Sequence, residues 1–198
     1  MNENKPALFS TAYFPPVSYF ITCLKQEKIT IDKEEFFIKQ TYRNRCHIAG
    51  PNGLQKLIVP LQHNNLSHTP VKDVKISYDT PWPVIHWRSI RTAYANAPYF
   101  EFFCEEVEAL FKEKHVYLAD LNETILAFLY KTFRKNIITE YTERYELNPE
   151  DKSDYRNYFN PKITPTTGKK YHQVFEDKNG FLPDLSALDL VFNNGTQL

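Results

Sequence analysis

The chain has 198 residues, which suits one domain with a core large enough to fold without disulfides or metals. Its 24 Lys and Arg balance 24 Asp and Glu, so the formal net charge is zero and a wholesale basic nucleic-acid binder is excluded. Thirteen Tyr, fifteen Phe and two Trp bring the aromatic share to 15%, while five Gly leave little material for a Gly-rich phosphate loop.

Ala7–Ala12 is short and apolar and runs into Tyr13-Phe14-Pro15-Pro16. A strand ending in a rigid loop is expected, because each proline fixes φ and lacks a donor. Val17–Lys25 follows as a short helix with Val17, Phe20, Ile21 and Leu24 on one face, then Lys28–Ile31 as a second strand. Arg43–Ala49 and Leu54–Leu61 flank Gly50-Pro51-Asn52-Gly53, a hairpin signal in which Asn-Gly supplies the positive φ of a tight turn. Val74–Tyr78 reads as a further strand.

The middle of the chain turns helical. Pro83–Ala95 is one helix and Pro98 opens the next, with Phe103, Val107, Leu110 and Phe111 at helical spacing. Leu121, Ile125, Phe128, Leu129 and Phe133 repeat that spacing, and Asp120 with Glu123 suggests a capping box. Ile137–Tyr141 returns as a strand, and residues 142–170 read as polar loop with one helical turn around Tyr155. Near the end, Ser186 is a natural N-cap with Asp189 at N3, Leu185 and Leu190 as the hydrophobic staple, and Gly195 as the stop. The expectation is an α/β (or α+β) fold: a small mixed sheet from N-terminal strands and hairpin, packed with a helical middle and a C-terminal helix, in one domain spanning 1–198.

Cys23, Cys46 and Cys104 are widely spaced, without a CxxC pair, which fits reduced thiols in a cytoplasmic protein. The N-terminus lacks the apolar run of a signal peptide, and no stretch reaches the ~18 apolar residues of a membrane span. His63 and His68 are five apart on a polar loop with no acidic residue close by in sequence, His115 and His172 are isolated, and no metal, nucleotide-loop or hydrolase motif occurs. No metal and no cofactor is therefore expected. Cys46 lies between Arg45 and His47, but neighbours on a strand face opposite ways, which counts against a shared Cys–His site.

Three clusters carry chemistry. Tyr13 and Tyr19 bracket the strand–helix loop, where strand ends and helix starts converge; their rings could stack on a base or sugar, or simply fill the core. In Lys39–His47, Arg45 could hold phosphate and Asn44 orient a hydroxyl, or the segment could be a solvated strand face. In Trp82–Tyr94, Trp87 could stack on a ligand or under Arg91, Arg88 could hold phosphate, and His86 could move a proton or serve as a satisfied structural histidine.

Taken in order, Tyr13-Phe14-Pro15 with Tyr19-Phe20, Asp32 through Gln40, Asn44-Arg45, Asn52-Gly53, Leu57–Pro60, Trp82 with His86-Trp87, Ser89-Ile90, Ala93-Tyr94, Pro98–Phe100, Leu118 with Asp120–Asn122, and Phe181–Ser186 with Leu188–Leu190 resemble the WbqC-like family of bacterial proteins. The resemblance covers about residues 8–195. Two departures stand out: Thr11-Ala12 where many members carry Gln-Pro, and a short, polar 136–170 segment. The resemblance implies a biosynthetic protein associated with bacterial surface-polysaccharide (O-antigen) gene clusters, acting on a nucleotide-linked sugar or another activated small molecule.

The resulting expectation is a cytosolic transferase with His86 as general base and Asn44 orienting substrate. Tyr13, Tyr19 and Trp87 would stack, Arg45 and Arg88 would hold phosphate, and Asp189 would steady an imidazole or hydroxyl, although its place at N3 explains it equally. A small-molecule substrate is the partner, with no nucleic acid and no transmembrane segment, and oligomers remain open. This reading requires Tyr13, Asn44, Arg45 and His86 to approach one pocket, and fails if they do not. The alternative is a non-enzymatic binding or assembly protein that uses an exposed aromatic surface. A fold analogy with nucleotidyltransferases that place a Pro-rich turn after strand one is weaker, because the histidines those enzymes use there are missing.

Overall fold

The computed structural model describes residues 5–62, 66–163 and 170–197. Strand β1 (Ala7–Ser10) is buried at every position, as an inner strand covered on both faces must be. It pairs in parallel with β2 (Lys28–Asp32), Ala7 opposite Ile29 and Ser10 opposite Asp32. β2 in turn pairs in parallel with β5 (Ile138–Tyr141). A two-residue strand, β6 (Ser153–Asp154), adds in parallel on the far side of β1. The sheet order is β5-β2-β1-β6, with β3 (Arg45–Gly50) and β4 (Gly53–Ile58) forming a separate antiparallel hairpin. The fold is mixed α/β, and its parallel sheet has the strand sequence of half a doubly wound fold.

Helix α1 (Val17–Leu24) makes the crossover between β1 and β2. Its buried face is Tyr19, Phe20 and Cys23, whereas Val17, Ile21 and Leu24 are half-buried, so the packed face is rotated from the expected one. Phe14 turns the chain with φ of 39°, a left-handed residue that costs roughly 1–2 kcal/mol and is held by burial and the two prolines after it. Pro16 offers no side chain to cap α1. Asp184 caps it from the other end of the chain, accepting from Ser18 N–H at 2.7 Å and Ser18 Oγ at 2.8 Å.

The helical middle consists of α2 (Trp82–Tyr94), α3 (Phe100–Lys112) and α4 (Leu118–Thr132). Leu121, Ile125, Phe128, Leu129 and Phe133 are all buried, as their spacing requires. α4 begins earlier than the Asp120–Glu123 pair suggests: Tyr117 is the N-cap, so Asp120 stands at N3, where a carboxylate still suits the helix dipole. Val74–Tyr78 is not a strand. It makes isolated bridges, Ile76 to Leu61 and Lys75 to Tyr117, after a 3₁₀ turn at Val71–Asp73. Segment 142–170 is not all loop, because it supplies β6. Short α5 (Glu176–Asn179) precedes α6 (Ala187–Asn194), which Ser186 caps through Leu188 N–H and Gly195 terminates at φ 63°. Leu185 and Leu190 are buried beside that cap.

Candidate functional site

The carboxyl ends of parallel strands are where open α/β sheets take ligands, because side chains and loops there are free of the ladder. In this molecule that edge divides in two. On the β1/β6 side the space is filled. Tyr155 stacks on Phe9 at 5.0 Å, and Phe159 lies against Tyr19 at 5.2 Å. Arg156 is buried and makes ion pairs with Asp32 (2.7 Å) and Asp154 (2.6 Å) while donating to the carbonyls of Glu146 and Leu147. Asp32 also accepts from the Glu34 and Glu35 amides and from Thr142 Oγ1. Beside it, Arg43 grips Glu35 bidentately at 2.8 and 2.6 Å, both groups buried. Burial pushes the Glu35 carboxyl above its ordinary range, against the pull of Arg43.

On the β2/β5 side the edge is open. A cleft of about 310 Å³, counted to its open mouth, is lined by residues that include Thr11, Tyr19, Lys33, Asn122, Glu123 and Tyr141. Each arrives by a clear route. Thr11 follows β1, Lys33 follows β2, Tyr141 ends β5, Tyr19 projects from α1, and Asn122 and Glu123 lie on the first turns of α4. At the mouth, the Lys33 ammonium is 2.8 Å from Glu123 and 3.7 Å from the centre of the Tyr141 ring. The Tyr141 hydroxyl donates to the other Glu123 oxygen. Burial raises the Glu123 carboxyl, but the Lys33 and Tyr141 hydrogen bonds outweigh it and hold it below its ordinary value. Deeper in, Asn122 is 2% exposed and its Nδ2 donates to the Arg43 carbonyl at 2.8 Å. Its Oδ1 meets no donor among the described residues. A buried acceptor left without a partner is costly, and Asn122 is one of the residues that line the cleft.

Of the residues singled out from sequence, Tyr19 lines this cleft, its hydroxyl anchored to the Ser10 carbonyl at 2.8 Å. Tyr13 and His86 meet directly: the Tyr13 hydroxyl donates to His86 Nδ1 at 2.8 Å, since the other ring nitrogen bonds the Ile58 carbonyl. Burial lowers the His86 pKa to about 4, so the imidazole is neutral with both nitrogens engaged. Asn44 stands next to this pair, with Nδ2 on the Val59 carbonyl at 3.0 Å. Arg45 is the cross-strand partner of Ile58. Tyr13, Asn44 and His86 are buried beside the Ile58 and Val59 carbonyls, Arg45 is only partly buried, and none of the four is among the residues that line the cleft.

The others lie elsewhere. Trp87 stacks on Phe100 at 6.2 Å, not under Arg91. Arg88 is exposed on α2. Asp189 is fully buried, held by Gln173 Nε2 at 3.1 Å and near the Tyr94 and Tyr171 hydroxyls; burial raises its pKa to about 6. Cys46 is buried, burial pushes its thiol up, and it lies on the opposite hairpin face from His47. Among the described residues no group of three or more His, Cys, Asp and Glu is placed to hold a metal; His63 lies outside them.

Lys33, Asn122, Glu123 and Tyr141, and the buried Asp32, Glu35 and Arg156, were not singled out as site residues by sequence reasoning. Asp32 and Asn122 stand within the family-like stretches, which is the signal that pointed nearest to them.

A parallel sheet with helices packed on it and a narrow cleft at its carboxyl edge defines a mixed α/β protein. The chain belongs to the WbqC-like protein family, whose model matches residues 11–160. It is also 26% identical over 220 residues to the uncharacterised protein Rv1507c of Mycobacterium tuberculosis, an alignment that covers 98% of this chain and 95% of the relative. No solved structure matches. No helix among the described residues is long and apolar enough to cross a membrane.

Proposed function

We propose that the protein is a transferase of surface-polysaccharide biosynthesis that seats the sugar part of an activated sugar, or a comparable phosphorylated small molecule, in the β2/β5 cleft. The observation that carries this reading is the unpartnered Asn122 Oδ1 in a carboxyl-edge cleft walled by Tyr19 and Tyr141. The space inside the cleft is about that of one water-sized group, so it admits a single hydroxyl of a ring that lies across the mouth. The activating phosphate would then project from the mouth. The half-buried Tyr141 ring offers apolar surface to the C–H side of a sugar, and Glu123 offers oxygens to its hydroxyls. Thr11-Ala12, the departure from the family-like Gln-Pro, lies in this cleft, so it would tune which ring fits.

A thermal-shift screen of nucleotide sugars, sugar phosphates and acyl donors tests the proposal, since a ligand that binds the folded state raises its melting temperature. A hit that disappears in folded Tyr141→Ala and Lys33→Ala supports it. A hit unaffected by both, or no hit at all, rejects the placement.

The reading as a partner-binding protein has one observation in its favour. Phe36 and Tyr145 are exposed, at 48% and 41%, with ring centres 6.0 Å apart. Light scattering checks it: a monomer whose mass is unchanged by Phe36→Ser would speak against a homotypic contact there.

A further inference from the structure

We infer that Glu123 is a specificity-determining residue, which neutralises Lys33 so that the cleft takes an uncharged, hydrogen-bond-donating group and turns free anions away. The inference rests on the placement of the site proposed above and adds to it the charge and polarity of what enters.

The inner end of the cleft sets the polarity. Asn122 Nδ2 donates to the Arg43 carbonyl, and this fixes the amide orientation, because the flipped amide would set oxygen against oxygen. What remains is Oδ1, an acceptor buried with its residue at 2% exposure. Its complement is an O–H or N–H group. A phosphate or carboxylate oxygen at that point would face acceptor to acceptor.

The mouth sets the charge. Among the described residues that line the cleft, Lys33 is the only Lys, Arg or His. Its ammonium is already engaged by Glu123 at 2.8 Å and by the Tyr141 ring at 3.7 Å. Glu123 is itself fixed by Lys33 and the Tyr141 hydroxyl, one to each oxygen. An anion brought to Lys33 therefore meets the Glu123 charge at a similar distance, and repulsion cancels the attraction. A neutral polyhydroxylated ring meets no such opposition. One hydroxyl points inward toward Asn122 and others meet the exposed flank of Glu123, with the ring itself across the mouth.

Exchanging Glu123 for Gln tests this directly, since the side chain is 44% exposed and the change keeps its shape. The probes are D-glucose, D-galactose and D-mannose as neutral rings, and inorganic phosphate as the anion, titrated into the full chain with binding read by calorimetry and amide NMR shifts. The wild type is expected to bind at least one neutral ring and to show no response to phosphate. Glu123→Gln is expected to bind that ring about tenfold more weakly, because a hydrogen bond to a charged group is lost. It should also gain phosphate binding at least tenfold, and that gain should vanish in Glu123→Gln combined with Lys33→Met.

Wild-type binding of phosphate as tight as that of the rings would overturn the inference, and so would a Glu123→Gln protein unchanged toward both probes. If the screen of sugars and donors gives cleft-dependent hits while Glu123→Gln changes no preference, the inference fails and the site stands. If neither the screen nor these probes bind, both fall.

Discussion

Two halves of the same sheet edge hold charged residues in opposite states. On the β1/β6 side, Arg43, Glu35, Arg156, Asp32 and Asp154 form a closed set, and the guanidinium groups of Arg43 and Arg156 are almost entirely out of solvent. On the β2/β5 side, Lys33 and Glu123 form a half-exposed pair beside a buried amide oxygen that nothing in the described chain satisfies. The first arrangement has no bonding capacity left over for a ligand and acts as a latch between distant segments. The second has capacity to spare. The number of charges does not separate structure from site; the balance of donors and acceptors does.

The largest expected effect breaks the closed half. Arg156→Ala should destabilise by about 3–5 kcal/mol, because it strands the buried Asp32 carboxylate and frees the 142–152 segment. Urea unfolding measures it, and a loss under 1 kcal/mol would show that the latch is dispensable.

Next is a pH effect away from the sheet edge. Asp189, raised to about 6, favours its protonated form in the folded state, so its contribution is complete below about pH 4 and is lost as pH rises through 6. Asp189→Asn should therefore stabilise at pH 7 by up to about 3 kcal/mol, with the gain shrinking below pH 6. Equal gains at pH 7 and pH 4.5 would refute the assignment. His47 and His86, both lowered to about 4 by burial, act with the opposite sign. Their contribution is complete above about pH 6.5 and is lost as pH falls toward 4, so Asp189→Asn should steepen the acid limb.

Tyr13→Phe should cost about 1–3 kcal/mol by leaving His86 Nδ1 unpaired, and it should raise the pH at which acid unfolding sets in. Unfolding followed at pH 5 and pH 7 tests both. Lys33→Met is expected to cost less than about 1 kcal/mol, since surface pairs contribute little. A larger loss would mean that the open half is also a structural clamp and would blur the contrast.

Much of the fold was legible because it is local. The strand running into Pro15-Pro16, the Gly50–Gly53 hairpin turn, the apolar face of α4 and the Ser186 cap each depend on residues a few positions apart. The failures have a shared cause. β6 is two residues long, too short to show alternation, and exists because Leu8 and Arg156 hold its neighbourhood in place. The α4 start moved to Tyr117 because tertiary contacts, including the Leu118 amide bonded to the Val74 carbonyl, selected it over the nearby acidic pair.

By itself the sequence determined an α/β chain, its family resemblance, and the local geometry of its turns and caps. It also brought Tyr13 and His86 to notice, and the structure joins them by a hydrogen bond away from the cleft residues. Only the tertiary structure decided which polar groups are closed and which are open. Lys33 and Glu123 are 90 positions apart, Arg43 and Asn122 79, and Asp32 and Arg156 124. Hydrogen-bond satisfaction is a property of three-dimensional neighbours, and no periodicity along the chain records it.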